Sequence, residues 1–168
     1  DNQENFLLIK HDIKKNYFRK DIDFLVNQNY DIASFLEKNN FDYNLKITEK
    51  ENGNHLDYYI FSLFIFRLDL VMKLKKNKLF DFNSNFYIEI FDNKKIDKTT
   101  KDIFFENYCL PDINFEVLIR LSELINNPEK IHHREYLKNN YSVLQTVEYN
   151  KYLEIYNLEN LIEFIKNI

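Results

Sequence analysis

Gly53 is the only glycine in 168 residues, and that scarcity removes whole classes of chemistry at once. Phosphate-cradling loops of the P-loop and dinucleotide types need several positions without a Cβ, so neither can be built here. Cysteine is as scarce. Cys109 stands alone, which excludes a disulfide framework, a zinc ribbon and a zinc finger, and fits a reducing, cytoplasmic compartment. A lone thiol is by default a small buried filler, and Cys109 is placed in a loop running into Pro111. Neither His-Glu-x-x-His nor Gly-x-Ser-x-Gly occurs. No cofactor and no metal site is expected.

Long charge-free runs are also missing. The most apolar stretch, residues 55–74, carries Asp57, Arg67, Asp69 and Lys73, which leave nine residues between charges where a membrane span needs about twenty. No membrane partner is expected. No signal-peptide pattern is read at the amino end, although the chain opens at Asp1 rather than Met, so a trimmed segment stays open.

What the chain has in plenty is phenylalanine and tyrosine, enough for a bulky core in a single domain spanning 1–168. Asn, Lys, Ile, Phe and Tyr share A/T-rich codons, so genomic bias competes with function as their explanation. The net charge is −4, and its distribution is uneven: residues 1–84 hold 13 basic and 13 acidic side chains, residues 85–168 hold 10 and 14.

Residues 55–74 can be read with two periods. As a strand, Leu56, Tyr58, Ile60, Phe64, Phe66, Leu68 and Leu70 share one face. Twenty uninterrupted residues are too long for an ordinary strand and ordinary for a helix, so a helix over about 56–76 is predicted. Phe6, Ile9, Ile13 and Tyr17 step along a helical face, predicting one helix, or two with a break near Asn16, over about 3–27, with a short helix through Ile32 and Leu36. Asn52-Gly53 beside the alternating segment 43–48 is a hairpin signal and argues against the central helix; a compromise pairs 43–48 with 86–91. Later come a short helix from Thr99, a helix capped by Asp112, one opened by Asn127-Pro128, one opened by a Ser142-x-x-Gln145 capping box, and a last one capped by Asn157. The fold class expected is mainly α, an antiparallel bundle-like domain with a small β element near 43–50 and 86–91. The alternative is α+β with a central antiparallel sheet.

For chemistry, the segment from Glu129 to Glu135 holds one Glu-x-x-His (Glu129, His132) with His133 and Arg134 adjacent, half of the motif that di-iron bundles use twice. The short arginine-to-histidine spacing of helical ribonucleases of the HEPN family is missing after Arg19, Arg67, Arg120 and Arg134. Arg67, alone in an apolar arc, calls for a carboxylate from another helix or lines a groove for an anion. Lys10–Lys20 and Lys73–Lys78 set cations among aromatics as nucleic-acid surfaces do, but the acidic balance makes a solvated face the default and nucleic acid an unlooked-for partner.

These absences and the acidic second half predict a non-enzymatic interaction protein, most concretely a bacterial immunity-type inhibitor occluding a basic toxin such as a nuclease. Its contacts would be Asp112, Glu116, Glu123, Glu148, Glu154, Glu159 and Glu163, with Glu116, Arg120 and Glu123 on an outer helix face. The alternative is a small helical nucleic-acid-binding protein, or a metal-dependent hydrolase using Glu129–His133.

Overall fold

In the computed structural model, which describes residues 2–10, 21–31, 44–97 and 108–168, the apolar run is two strands and no helix. Strand β1 is Phe6–Leu8, β2 Asp21–Val26, β3 Asn44–Lys50, β4 Gly53–Ile60 and β5 Leu63–Val71. The period of two wins because one face is buried. Leu56, Tyr58, Phe66, Leu68 and Leu70 are buried while His55, Arg67 and Asp69 alternate with them. What breaks the run is a two-residue turn at Phe61-Ser62, both left-handed at φ 47° and 67°. Two-residue hairpin turns need that conformation and normally advertise it with Asn or Gly. Here they do not, and that hid the turn.

The Asn52-Gly53 hairpin does form. β3 and β4 pair antiparallel from Lys50–Gly53 outward to Asn44–Tyr59, with Glu51 and Asn52 turning the chain. Gly53 sits at φ 153°, and a Cβ there would lie 1.9 Å from the Leu70 carbonyl oxygen. The one glycine stands where a backbone crosses too close for any side chain.

Strand β6 is Phe80–Phe82, β7 Lys95–Asp97, β8 Tyr108–Leu110 and β9 Leu153–Ile155; helices are α1 Ser84–Asp92, α2 Ile113–Asn126, α3 Ile131–Asn139, α4 Tyr141–Thr146, α5 Tyr149–Tyr152 and α6 Leu158–Lys166. The mainly α expectation is therefore wrong. Among the described residues the fold is α+β, with a seven-stranded mixed sheet ordered β3-β4-β5-β2-β1-β8-β7. The antiparallel alternative was nearer, but β2 runs parallel to β5 and β1 parallel to β8.

Other sequence expectations also give way. The predicted helix over 3–27 contains β1 and β2 instead; Phe6, Leu7, Leu8 and Ile9 are all buried, and a strand covered on both faces reads as a continuous apolar run. Residues 86–91 lie in α1, not in a strand, because Asn83 caps that helix by accepting from the Phe86 N–H. Cys109 is in β8, buried, rather than in a loop. The helices expected through Ile32 and from Thr99 fall outside the described residues.

The chain divides into two compact units, Asp1–Lys73 with Ile96–Cys109, and Leu74–Lys95 with Leu110–Ile168. The first is built on the sheet, where Phe24 packs edge-on to Phe6 and stacks on Tyr108, and Tyr58 stacks on Phe66. The second surrounds α2, whose Val117, Leu118, Leu121 and Leu124 are fully buried, beside the β6–β9 ribbon. Asp112 caps α2 as expected, accepting from the Asn114 N–H, and Asn157 caps α6, accepting from Asn160. Asn127 instead closes α2 by donating to the Glu123 carbonyl, so α3 starts at Ile131 and Pro128 precedes it. Ser142 lies inside α4, so its capping box does not form. Among the described residues no helix is long and apolar enough to cross a membrane.

Candidate functional site

The sheet of the first unit gathers its ionisable residues on one face, because strand register aligns them in rows. Asp21, Arg67 and Asp57 form one row across β2, β5 and β4; Asp23, Asp69 and His55 form the next. Arg67 grips Asp57 through two bonds, Nε to Oδ1 at 2.6 Å and Nη2 to Oδ2 at 3.2 Å. Its partner is thus a cross-strand neighbour rather than a carboxylate from another helix, and the Arg67 side chain is a third exposed. Hydrogen bonding to Arg67 holds the Asp57 carboxyl below its ordinary range. Asp69 goes the other way: burial and the neighbouring Asp23 push it up, against the pull of His55. Asp69 Oδ1 is buried without a hydrogen bond, 3.5 Å from His55 Nε2. Lys10 neutralises Asp23 at 2.9 Å. Most of these charges answer one another within the sheet.

A second cluster lies along α2 and α3. Glu116 and Arg120 are buried, not on an outer face, and pair one turn apart at 2.7 Å. Arg120 Nη1 reaches His133 Nδ1 at 3.3 Å and its guanidinium lies 4.7 Å from the Tyr136 ring centroid. A guanidinium can only donate, so His133 Nδ1 accepts. Arg120 and His133 thus meet across two helices, which no short spacing in sequence could reveal. At 3% and 2% exposure they present no surface to a substrate and hold the helices in register. His132 is exposed and its ring packs at 4.1 Å on His133. Glu129 sits in the turn before α3, so Glu129 and His132 do not share a helix face. Among the described residues no group of three or more His, Cys, Asp or Glu side chains could hold a metal ion.

The seven acidic residues separate into two sets. Glu116 is buried on Arg120, Glu123 pairs with Lys130 at 3.2 Å, and Asp112 pairs with Lys95 at 2.7 Å while capping α2. Burial pushes Asp112 up, but Lys95 and Asn114 outweigh it and its carboxyl lies below the ordinary range. Glu148, Glu154, Glu159 and Glu163 are exposed.

The remaining feature is a basic loop of the second unit. Asn77, itself buried, accepts from the Leu79 and Phe80 N–H groups at 2.8 and 2.9 Å and donates to Ser122 Oγ at 3.2 Å. Ser122 in turn donates to the Lys75 carbonyl at 3.2 Å. This buried pair clamps the loop backbone to α2, while Lys75, Lys76 and Lys78 project into solvent with no ion pair among the described residues. The Leu79 carbonyl accepts from the Tyr156 N–H at 3.0 Å, which sets the start of α6 beside the loop. Between them runs an open groove of about 460 Å³, lined by Lys78, Leu79, Asn157, Asn160, Glu163, Phe164 and Asn167. Sequence reading singled out these lysines but missed the groove. Asn77 and Ser122 bear no motif, and asparagine is so common here that three lining one groove could not stand out.

Comparison with known proteins returns no matching family model, no matching curated protein and no matching solved structure.

Proposed function

We propose that this protein is a nucleic-acid-binding module that takes the phosphate backbone on Lys75, Lys76 and Lys78. The observation that carries this reading is a set of exposed ammonium groups, without an ion pair among the described residues, on a loop fixed from beneath by Asn77 and Ser122. Cations that neutralise phosphate release condensed counterions, and a pre-set backbone lowers the ordering cost of binding. The adjoining groove adds what a backbone contact lacks, amide groups for base edges and the Phe164 ring for stacking. The chain's overall negative charge does not oppose this locally. The second unit gains Lys75, Lys76 and Lys78 with Asp81, gives up residues 96–109 with three acidic and two basic side chains, and so holds 11 basic against 12 acidic side chains. Fluorescence anisotropy with labelled single-stranded oligonucleotides tests it. The triple variant Lys75→Glu/Lys76→Glu/Lys78→Glu should bind at least about tenfold more weakly than the parent at low salt. Equal binding by the two, or none by the parent, would sink the reading.

A second reading keeps the immunity-type inhibitor of a basic toxin, supported by the exposure of Glu148, Glu154, Glu159 and Glu163. A steered acidic interface would lose on-rate with salt and with Lys at these positions. Asp112, Glu116 and Glu123 already have internal partners, which thins the face available to it.

A further inference from the structure

The groove beside Lys78 differs from a plain cationic surface in one respect: a carboxylate lines it. Glu163 lies one turn after Glu159 on α6 and is exposed; its backbone carbonyl accepts from the Asn167 N–H, while its carboxylate has no ion pair or hydrogen bond among the described residues. Around it stand the amides of Asn157, Asn160 and Asn167 and the half-buried Phe164 ring. A phosphate would be repelled there and drawn to Lys78, which also lines the groove, so the two ends of a nucleotide are sorted by charge. We infer, resting on the nucleic-acid reading above, that the groove receives one unstacked nucleobase and that Glu163 selects bases carrying an amino group on their pairing edge.

The chemistry follows from donor and acceptor patterns. A carboxylate is acceptor-only, with two oxygens. Guanine offers N1–H and N2–H side by side, which match a carboxylate in a bidentate pair, and cytosine and adenine each offer an amino group. Uracil and thymine offer a single N3–H flanked by two carbonyl oxygens, whose lone pairs repel the carboxylate. The volume of about 460 Å³ is in the range of small-ligand pockets. Phe164 supplies a face for stacking, which tolerates any base, so selection falls to Glu163.

The test compares a labelled oligouridine with the same strand bearing one central guanosine, by anisotropy on the full chain. The parent should bind the guanosine strand about tenfold tighter, as one good bidentate pair allows. Glu163→Gln, a change at an exposed position, should bring the two strands to within about twofold while oligouridine binds no more weakly than before. Equal affinity of the parent for both strands would overturn this inference and leave nucleic-acid binding standing. Discrimination that persists undiminished in Glu163→Gln would overturn the role given to Glu163. Failure of the parent to bind either strand would remove the nucleic-acid reading and this inference with it.

Discussion

Arg67 looked in the sequence like a buried charge in an apolar arc, and its burial decides what it contributes. Because the Arg67 side chain is a third exposed, solvent screens the Asp57 pair and Arg67→Ala should destabilise by about 1–2 kcal/mol, below the ~3–5 kcal/mol of a fully buried pair. Chemical denaturation of the two proteins measures it. Asp69 makes the opposite prediction. Its folded pKa is raised above the ordinary 3.8 by burial and by Asp23, so its ionised form opposes folding at neutral pH. Asp69→Asn should therefore raise the melting temperature at pH 7. The gain should shrink as pH falls through the raised folded value and vanish below about 3.8, where Asp69 is protonated in both states. A gain that stayed constant with pH would show that ionisation is not its source. Neither behaviour was legible in sequence, because burial and cross-strand neighbours are set by register.

At the scale of elements, some local signals acted as read, while the Asn127 cap and the Ser142 capping box did not form. Asp112 and Asn157 cap their helices as read, and Asn52-Gly53 marks its hairpin. They failed where the turn lacked its usual residues. Phe61, 98% exposed, and Ser62 hold left-handed backbone that L side chains disfavour, by roughly 1–2 kcal/mol each. Phe61→Asn with Ser62→Gly supplies the residues such a turn prefers and should stabilise the protein by about 1–2 kcal/mol, read as a melting temperature higher by a few degrees. An unchanged or lower melting temperature would mean that the Phe61 and Ser62 side chains themselves hold the turn.

For the molecule as a whole, charge is where sequence order misled most. Halving the chain by number gives an acidic second half, but the second unit gains Lys75, Lys76 and Lys78, leaves Asp97, Asp102 and Glu106 to the first, and stands near neutrality. Binding through three lysines to a single strand should give a salt dependence of log K on log salt of about −2, at ~0.7 per phosphate contact. A slope near zero would place the affinity outside the lysine loop, and a much steeper one would require further cations to take part. The same regrouping explains the groove: Lys78 and Glu163 lie far apart in sequence and line one cleft because the Leu79 carbonyl is tied to Tyr156.

By itself the sequence determined the loops that scarce glycine and cysteine rule out, the Asp112 and Asn157 caps and the one hairpin with a glycine, since each depends on residue type or on groups a few positions apart. It also held the face of Leu56, Tyr58, Phe66, Leu68 and Leu70 that became part of the sheet core, although length favoured a helix there. The tertiary structure decided between strand and helix there, placed Glu116 and Arg120 inside rather than outside, and set three asparagines, a phenylalanine and a carboxylate beside a lysine loop. The reason is common to all three: burial and cross-chain pairing outweigh local preference, and both are properties of contacts between residues that the sequence keeps far apart.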